Sequence, residues 1–238
     1  MDFSMQHQKT QYQKNQIKTI NSLEDNLKSN KVDFSIVSAV DDYKNDPRMC
    51  LTCAHFPSNS FIESVDKQII KPLKQTQSSH FYYKSSSFHI TITGIQKVSD
   101  PKTYSKQDIE KTELLFDKII PQHKAFNVFF YKLVLLPTNL SLFGTSDQER
   151  DNIFLDLNKG LKRIGLPNNN KYLNSKYFFC NMTICRFNEK PSKKFVEKVK
   201  ERNEILAFDP YKIDSASLIE ANASLGMRKN IKKWELKK

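Results

Sequence analysis

The rhythm of hydrophobic and polar positions changes near residue 47. Before it the chain is rich in Gln, Asn, Lys and Ser, and only Ile17, Ile20, Leu23 and Leu27 recur at helical spacing. One such stripe makes a helix but no core, so residues 1–46 read as a polar N-terminal extension and 47–238 as the folded domain. From Arg48 on, short strand-like runs alternate with helix-like ones, the signature of an α/β or α+β domain.

Residues 48–56 (RMCLTCAHF) predict a strand closed by Pro57. A helix follows, with Ser60 and Glu63 spaced as a capping box and Ile62, Val65, Ile69, Ile70 and Leu73 on one side. Next come a β-type stretch at 80–83, a serine turn at 85–87 and a strand over 88–95. A helix from about Ser105 to Ile120 ends at Pro121, and strands lie near 126–136 and 140–143. The second half repeats this order. Its first helix opens at Ser146, with Glu149 at capping-box spacing and Ile153, Leu157, Leu161 and Ile164 inward. A strand over 177–187 follows an asparagine-rich loop at 168–170; Pro191 then opens a helix carrying Phe195 and Val199. Strands near 205–208, 215–223 and 231–236 close the chain. The economical reading is two related lobes of helix and antiparallel strand.

With 38% hydrophobic and 11% aromatic residues, the 238-residue chain can build a core, which excludes a disordered or fibrous class. Its longest apolar stretch, 125–137, is too short and too polar to span a bilayer, so no membrane partner is expected. No apolar leader follows Met1, so the expected setting is cytoplasmic, with the four cysteines as reduced thiols. The net charge of +12 is unevenly placed: residues 1–46 hold six lysines against seven acids, so the whole excess lies on 47–238. A basic face of that kind attracts phosphates at long range, although solvated surface lysines give the same total.

Two strands carry matching polar interruptions 92 residues apart: Phe88-His89-Ile90-Thr91-Ile92 and Cys180-Asn181-Met182-Thr183-Ile184. Strand side chains alternate, so His89 shares a face with Thr91, and Asn181 with Thr183, while the isoleucines and Met182 face a core. The His-x-Thr run resembles the first H-x-T-x motif of the two-histidine (2H) phosphoesterases, the superfamily of the RNA 2',5'-ligases and cyclic nucleotide phosphodiesterases. The second motif there reads H-x-T-L-A-R, and this chain has Asn181-Met182-Thr183-Ile184-Cys185-Arg186, keeping threonine and arginine and losing the histidine.

The resemblance spans residues 48–236. It implies an α+β fold of two pseudo-symmetric helix-plus-antiparallel-sheet lobes around a central groove, one motif from each lobe. It implies an enzyme that requires no metal, acting on 2',3'-cyclic or 2',5'-linked ribonucleotides or RNA ends, in which paired imidazoles serve as acid and base and threonines bind the phosphoryl oxygens; a monomer without cofactor is expected. Histidine suits that role because it titrates near neutrality. Carried onto this chain, the site is His89, Thr91, Asn181 and Thr183, with Arg186 a further cation. Arg186 lies three residues from Thr183, so an unbroken strand turns it to the opposite face. Tyr82, Tyr83 and Lys84, just before the first motif, are candidates for base stacking and a cation.

Asn181 departs from the family, since an amide exchanges no proton at neutral pH. Three outcomes stay open: a slow enzyme using water, an enzyme with a replacement group, or a binding protein that keeps the cleft. His55 and His80 are candidates for the missing imidazole, and both also read as ordinary strand-end histidines. Cys50 and Cys53 form a C-x-x-C, but odd spacing within a strand points them to opposite faces, so buried thiols are expected rather than zinc or redox chemistry. There is no Gly-rich phosphate loop, G-x-S-x-G or H-E-x-x-H, which removes the nucleoside triphosphatase, serine hydrolase and zincin classes.

Overall fold

The computed structural model describes residues 9–29, 31, 34–168 and 170–238; the first eight residues of the extension and Asn169 of the asparagine-rich loop lie outside them. The elements are α1 (Gln11–Lys28), β1 (Met49–His55), α2 (Asn59–Val65), α3 (Lys71–Lys74), β2 (Phe81–Tyr82), β3 (Ile90–Ser99), α4 (Lys106–Ile119), β4 (Phe126–Leu135), β5 (Asn139–Ser146), α5 (Glu149–Arg163), β6 (Cys180–Arg186), α6 (Lys193–Ile205), β7 (Tyr211–Ile213), β8 (Ser215–Asn222) and β9 (Arg228–Glu235). A π-helical stretch, Asp66–Ile70, joins α2 to α3, just before Pro72, which has no N–H to give an α-helical bond. No helix among the described residues is long and apolar enough to cross a membrane.

Two antiparallel sheets form, in the orders β3-β1-β8-β9 and β2-β6-β5-β4-β7. Helices α4 and α5 pack together behind the first, and α3 and α6 behind the second. This is the bilobal α+β arrangement expected, but the lobes are not the two halves of the sequence. The first sheet is built from both ends of the domain, and the middle of the chain builds most of the second. Periodicity marks which segments are strands; which strands pair depends on long-range packing that no local window contains.

Several boundaries differ from the pattern for identifiable reasons. Ser146 ends β5 instead of opening a helix, and its hydroxyl and backbone are taken up by Gln16; α5 starts at Glu149 with no side-chain cap. The cap of α2 is Ser58, whose hydroxyl accepts from Phe61 N, so Ser60 already lies inside the helix. Residues 205–208 form no strand, because α6 runs to Ile205 and the next pairing begins at Tyr211. By contrast, Ser105 caps α4 in a full capping box with Asp108.

Helix α1 lies on the second sheet. Ile20 and Leu23 are fully buried against Val134 and Phe143, on the face opposite the main core. Buried Gln16 pins the helix: its amide donates to Ser146 Oγ and Phe178 O, and its carbonyl accepts from Ser146 N at 2.8 Å. Glu24 pairs with Lys132.

Candidate active site

Strands β3 and β6 meet where the two sheets adjoin. Their motif residues line one cavity of about 500 Å³, with His89, Thr91, Asn181, Thr183 and Arg186 all on its wall. The alternation read from sequence accounts for the first four, since Ile90, Ile92, Met182 and Ile184 are buried in the main core on the other face.

Arg186 arrives by a different route. In the β5–β6 ladder Ser141 pairs with Thr183 but Leu140 pairs with Cys185, leaving Ile184 as an extra residue. This bulge turns Ile184 and Cys185 both toward the core and returns Arg186 to the side of Thr183. The first motif does the same: Ala54 pairs with Thr91 and Cys53 with Thr93, so Ile92 is extra. The position three after the motif threonine is therefore equivalent in both lobes, Gly94 in one and Arg186 in the other, and both line the cavity. A Cβ at Gly94 would come 2.8 Å from Asn170 Nδ2, so the asparagine amide lies directly over this glycine on the cavity wall.

His89, half-buried at the entry to β3, donates from Nδ1 to Ser87 O at 2.9 Å. A carbonyl only accepts, so this bond leaves Nε2 as the proton-accepting atom. Burial, with the positive charges of Arg186 and Arg228 nearby, pushes the imidazole down to about 4 against the pull of the Ser87 bond. His89 is thus a neutral base at pH 7. The turn that holds it is braced from the β8–β9 connection: Ser87 Oγ donates to Leu225 O, and Arg228 donates to Ser86 O at 2.7 Å. Leu225 takes φ +54°, an uncommon conformation for a branched residue, on the cavity wall.

On the opposite wall Ser141 Oγ donates to Asn139 Oδ1 at 2.8 Å and lies 3.4 Å from Thr183 Oγ1. The side chains of Asn181 and Thr91 bond to no other described residue. Arg186 is 5% exposed; its Nε donates to Tyr83 Oη at 3.1 Å, and Tyr83 in turn donates to Ala223 O. Arg186 Nη1 is buried without a partner. A guanidinium held this way, beside a cavity, has a donor to give to an anion. The cavity is lined by Arg48, Lys97, Arg150, Lys171 and Arg186 and by no Asp or Glu among the described residues.

The two tyrosines separate. Tyr83 lines the cavity, but its ring is packed on Phe88 and its hydroxyl positions Arg186, so it is buried instead of being offered as a stacking face. Tyr82 turns away, donating to Gln77 O with Lys74 over its ring, and Lys84 is exposed outside the cavity. One residue's difference in a strand reverses the face. Neither spare histidine reaches the site. His55 is engaged at both ring nitrogens, by Ser215 O and Tyr211 Oη, and His80 is buried between Phe187 and Phe195, where burial lowers its pKa. Cys50 lines the cavity and Cys53 the core, on opposite faces, and all four cysteines are buried and free.

Two parts of the wall were not picked out from sequence. Asn139 and Ser141 face the cavity while Leu140 and Leu142 face the core, an alternation visible in the sequence had the polar face been weighed. Residues 34–38 also line it: Ser35 N donates to Lys171 O, Val37 O accepts from Thr138 Oγ1, and Ser38 Oγ accepts from Arg48. No sequence signal marks that segment.

These two sheets, with paired motifs facing across them, make a fold like that of E. coli LigT. E. coli LigT complexed with 3'-AMP superposes with a TM-score of 0.54 at 12% identity, covering 80% of this chain and 99% of LigT. LigT complexed with phosphate gives 0.52 at 12% over the same shares. A Thermus thermophilus protein, TT0787, gives 0.53 at 10%, covering 79% of this chain and 97% of that one. At these identities the likeness is one of fold. No protein-family model and no curated protein matches the sequence.

Proposed function

We propose that the protein is a metal-independent phosphodiesterase acting on 2',3'-cyclic or 2',5'-linked ribonucleotide ends, with a single acid–base group. The observation that supports it is the meeting of His-x-Thr and Asn-x-Thr in one cationic cavity beside a buried guanidinium with an unmade hydrogen bond. LigT structures with 3'-AMP and with phosphate bring the same ligand chemistry to this fold.

In hydrolysis of a 2',3'-cyclic phosphate, His89 Nε2 takes a proton from the attacking water as its oxygen bonds to phosphorus. The bond from phosphorus to one ribose oxygen breaks, and that oxygen takes its proton from solvent. Thr91 and Thr183 orient the phosphoryl oxygens, and Arg186 meets the charge that grows on them. Asn181 is a polar orienter at the position where the two-histidine motif has its second histidine. Ring strain in the five-membered phosphate favours the reaction even so.

A second reading, binding without turnover, is favoured by the amide at Asn181. Incubation with a 2',3'-cyclic nucleotide in EDTA separates the two. Turnover that falls about 10²–10⁴-fold in His89→Ala supports the enzyme; saturable binding with no product supports the binding module.

A further inference from the structure

We infer that α1 and the 34–38 segment are a size filter: they close one side of the groove, so that the site takes a single ribonucleotide and rejects the same terminus on an RNA chain. The inference rests on the phosphodiester reading above and names its substrate class.

Cross-strand pairing fixes the geometry. Asn181 pairs with Phe143 and Phe143 with Lys132; Thr183 pairs with Ser141 and Ser141 with Val134. Paired residues share a face, so two rows of side chains run from the motif on β6 across β5 to β4. Strands are about 4.8 Å apart, so the rows extend roughly 10 Å from the motif residues. Helix α1 sits on their far ends, with Ile20 and Leu23 against Phe143 and Val134, and Glu24 on Lys132. Without it this floor would be an open track carrying a lysine, suited to a phosphate backbone. With it the floor is covered and the lysine is neutralised from within.

The 34–38 segment completes the wall. It is tied to the loop at Lys171, to the β4–β5 turn at Thr138 and to Arg48. The cleft volume of about 500 Å³ lies in the ~300–1,000 Å³ range of sites that take one small molecule. LigT is matched over 99% of its length by 80% of this chain, so a fifth of this chain has no counterpart in that superposition.

The test compares adenosine 2',3'-cyclic phosphate with a short oligoribonucleotide ending in the same cyclic phosphate. The unaltered chain should bind the mononucleotide at least about tenfold more tightly. Ile20→Asp with Leu23→Asp places two carboxylates in the α1 contact and should free the helix, seen as loss of α1 amide protection. Affinity for the oligomer should then rise about tenfold while that for the mononucleotide changes less than about threefold. Glu24→Lys, which leaves the core intact and sets a like charge beside Lys132, should move the ratio the same way by less, and it serves if the double variant does not fold. Equal affinities in the unaltered protein, or an oligomer affinity that stays fixed once α1 is free, overturn the filter and leave the phosphodiester reading standing. Failure of the unaltered protein to bind either ligand overturns that reading, and the filter with it.

Discussion

The hydrogen bond from His89 Nδ1 to Ser87 O and the burial that holds the ring neutral together make this residue a base and not an acid. Its folded pKa, about 4, lies below the ordinary 6.5, so the basic form dominates from pH 7 down to that value. With no carboxylate or second histidine lining the cavity among the described residues, kcat/KM should hold steady through neutrality and fall only as pH drops through about 4. A falling alkaline limb near neutrality, the mark of an essential acid, would contradict the assignment. Asn181→His supplies that acid. It should raise the rate about 10²-fold and turn the profile into a bell; an unchanged rate would show that some other group already donates. The motif pairs themselves are legible in the sequence, because a period of two assigns faces without knowledge of pairing. The protonation of His89 is not, since it depends on Ser87, Arg186 and Arg228 gathering around the ring.

Among the elements, the bulges after Thr91 and Thr183 illustrate what a local pattern omits. Strict alternation sends Arg186 to the core side; one extra residue, Ile184, brings it back, and only the ladder with β5 reveals the extra residue. Capping follows the same logic. Ser105 with Asp108 is self-contained and could be read, whereas Ser146 has the right spacing to Glu149 but is claimed by Gln16, 130 residues away. That claim is testable. Gln16→Leu keeps the volume but strips the partners of Ser146 N and Phe178 O in a buried contact. Leaving such groups unsatisfied costs about 1–3 kcal/mol, which urea unfolding should report as a lower midpoint at unchanged slope. A change within about 0.5 kcal/mol, the range of an ordinary surface substitution, would mean that α1 is not held by this residue.

For the whole molecule, interleaving of the lobes joins the ends of the domain into one sheet, and Tyr83 ties the two sheets together by accepting from Arg186 and donating to Ala223 O. Composition foretold a cationic domain, but a total of +12 does not say how much of that charge a ligand meets. The structure divides it: Lys132 is matched by Glu24, Arg48 by Asp46 and Arg150 in part by Asp151, while Arg186, on the cavity wall, has no ion-pair partner among the described residues and keeps a buried donor unmade, as Arg150 does at its Nε. Ligand binding should therefore depend on salt as one phosphate contact does, even though the net charge suggests many. Each phosphate neutralised on a single strand contributes about −0.7 to the slope of log K against log salt, so a cyclic mononucleotide should give a slope no steeper than about −0.7. A continuous basic track engaging six phosphates would give about −4. Titration of the nucleotide and of an oligoribonucleotide between low and moderate salt distinguishes these cases. A steep slope for the oligomer in the unaltered protein would mean that the surface charge, and not the enclosed guanidinium, governs recognition.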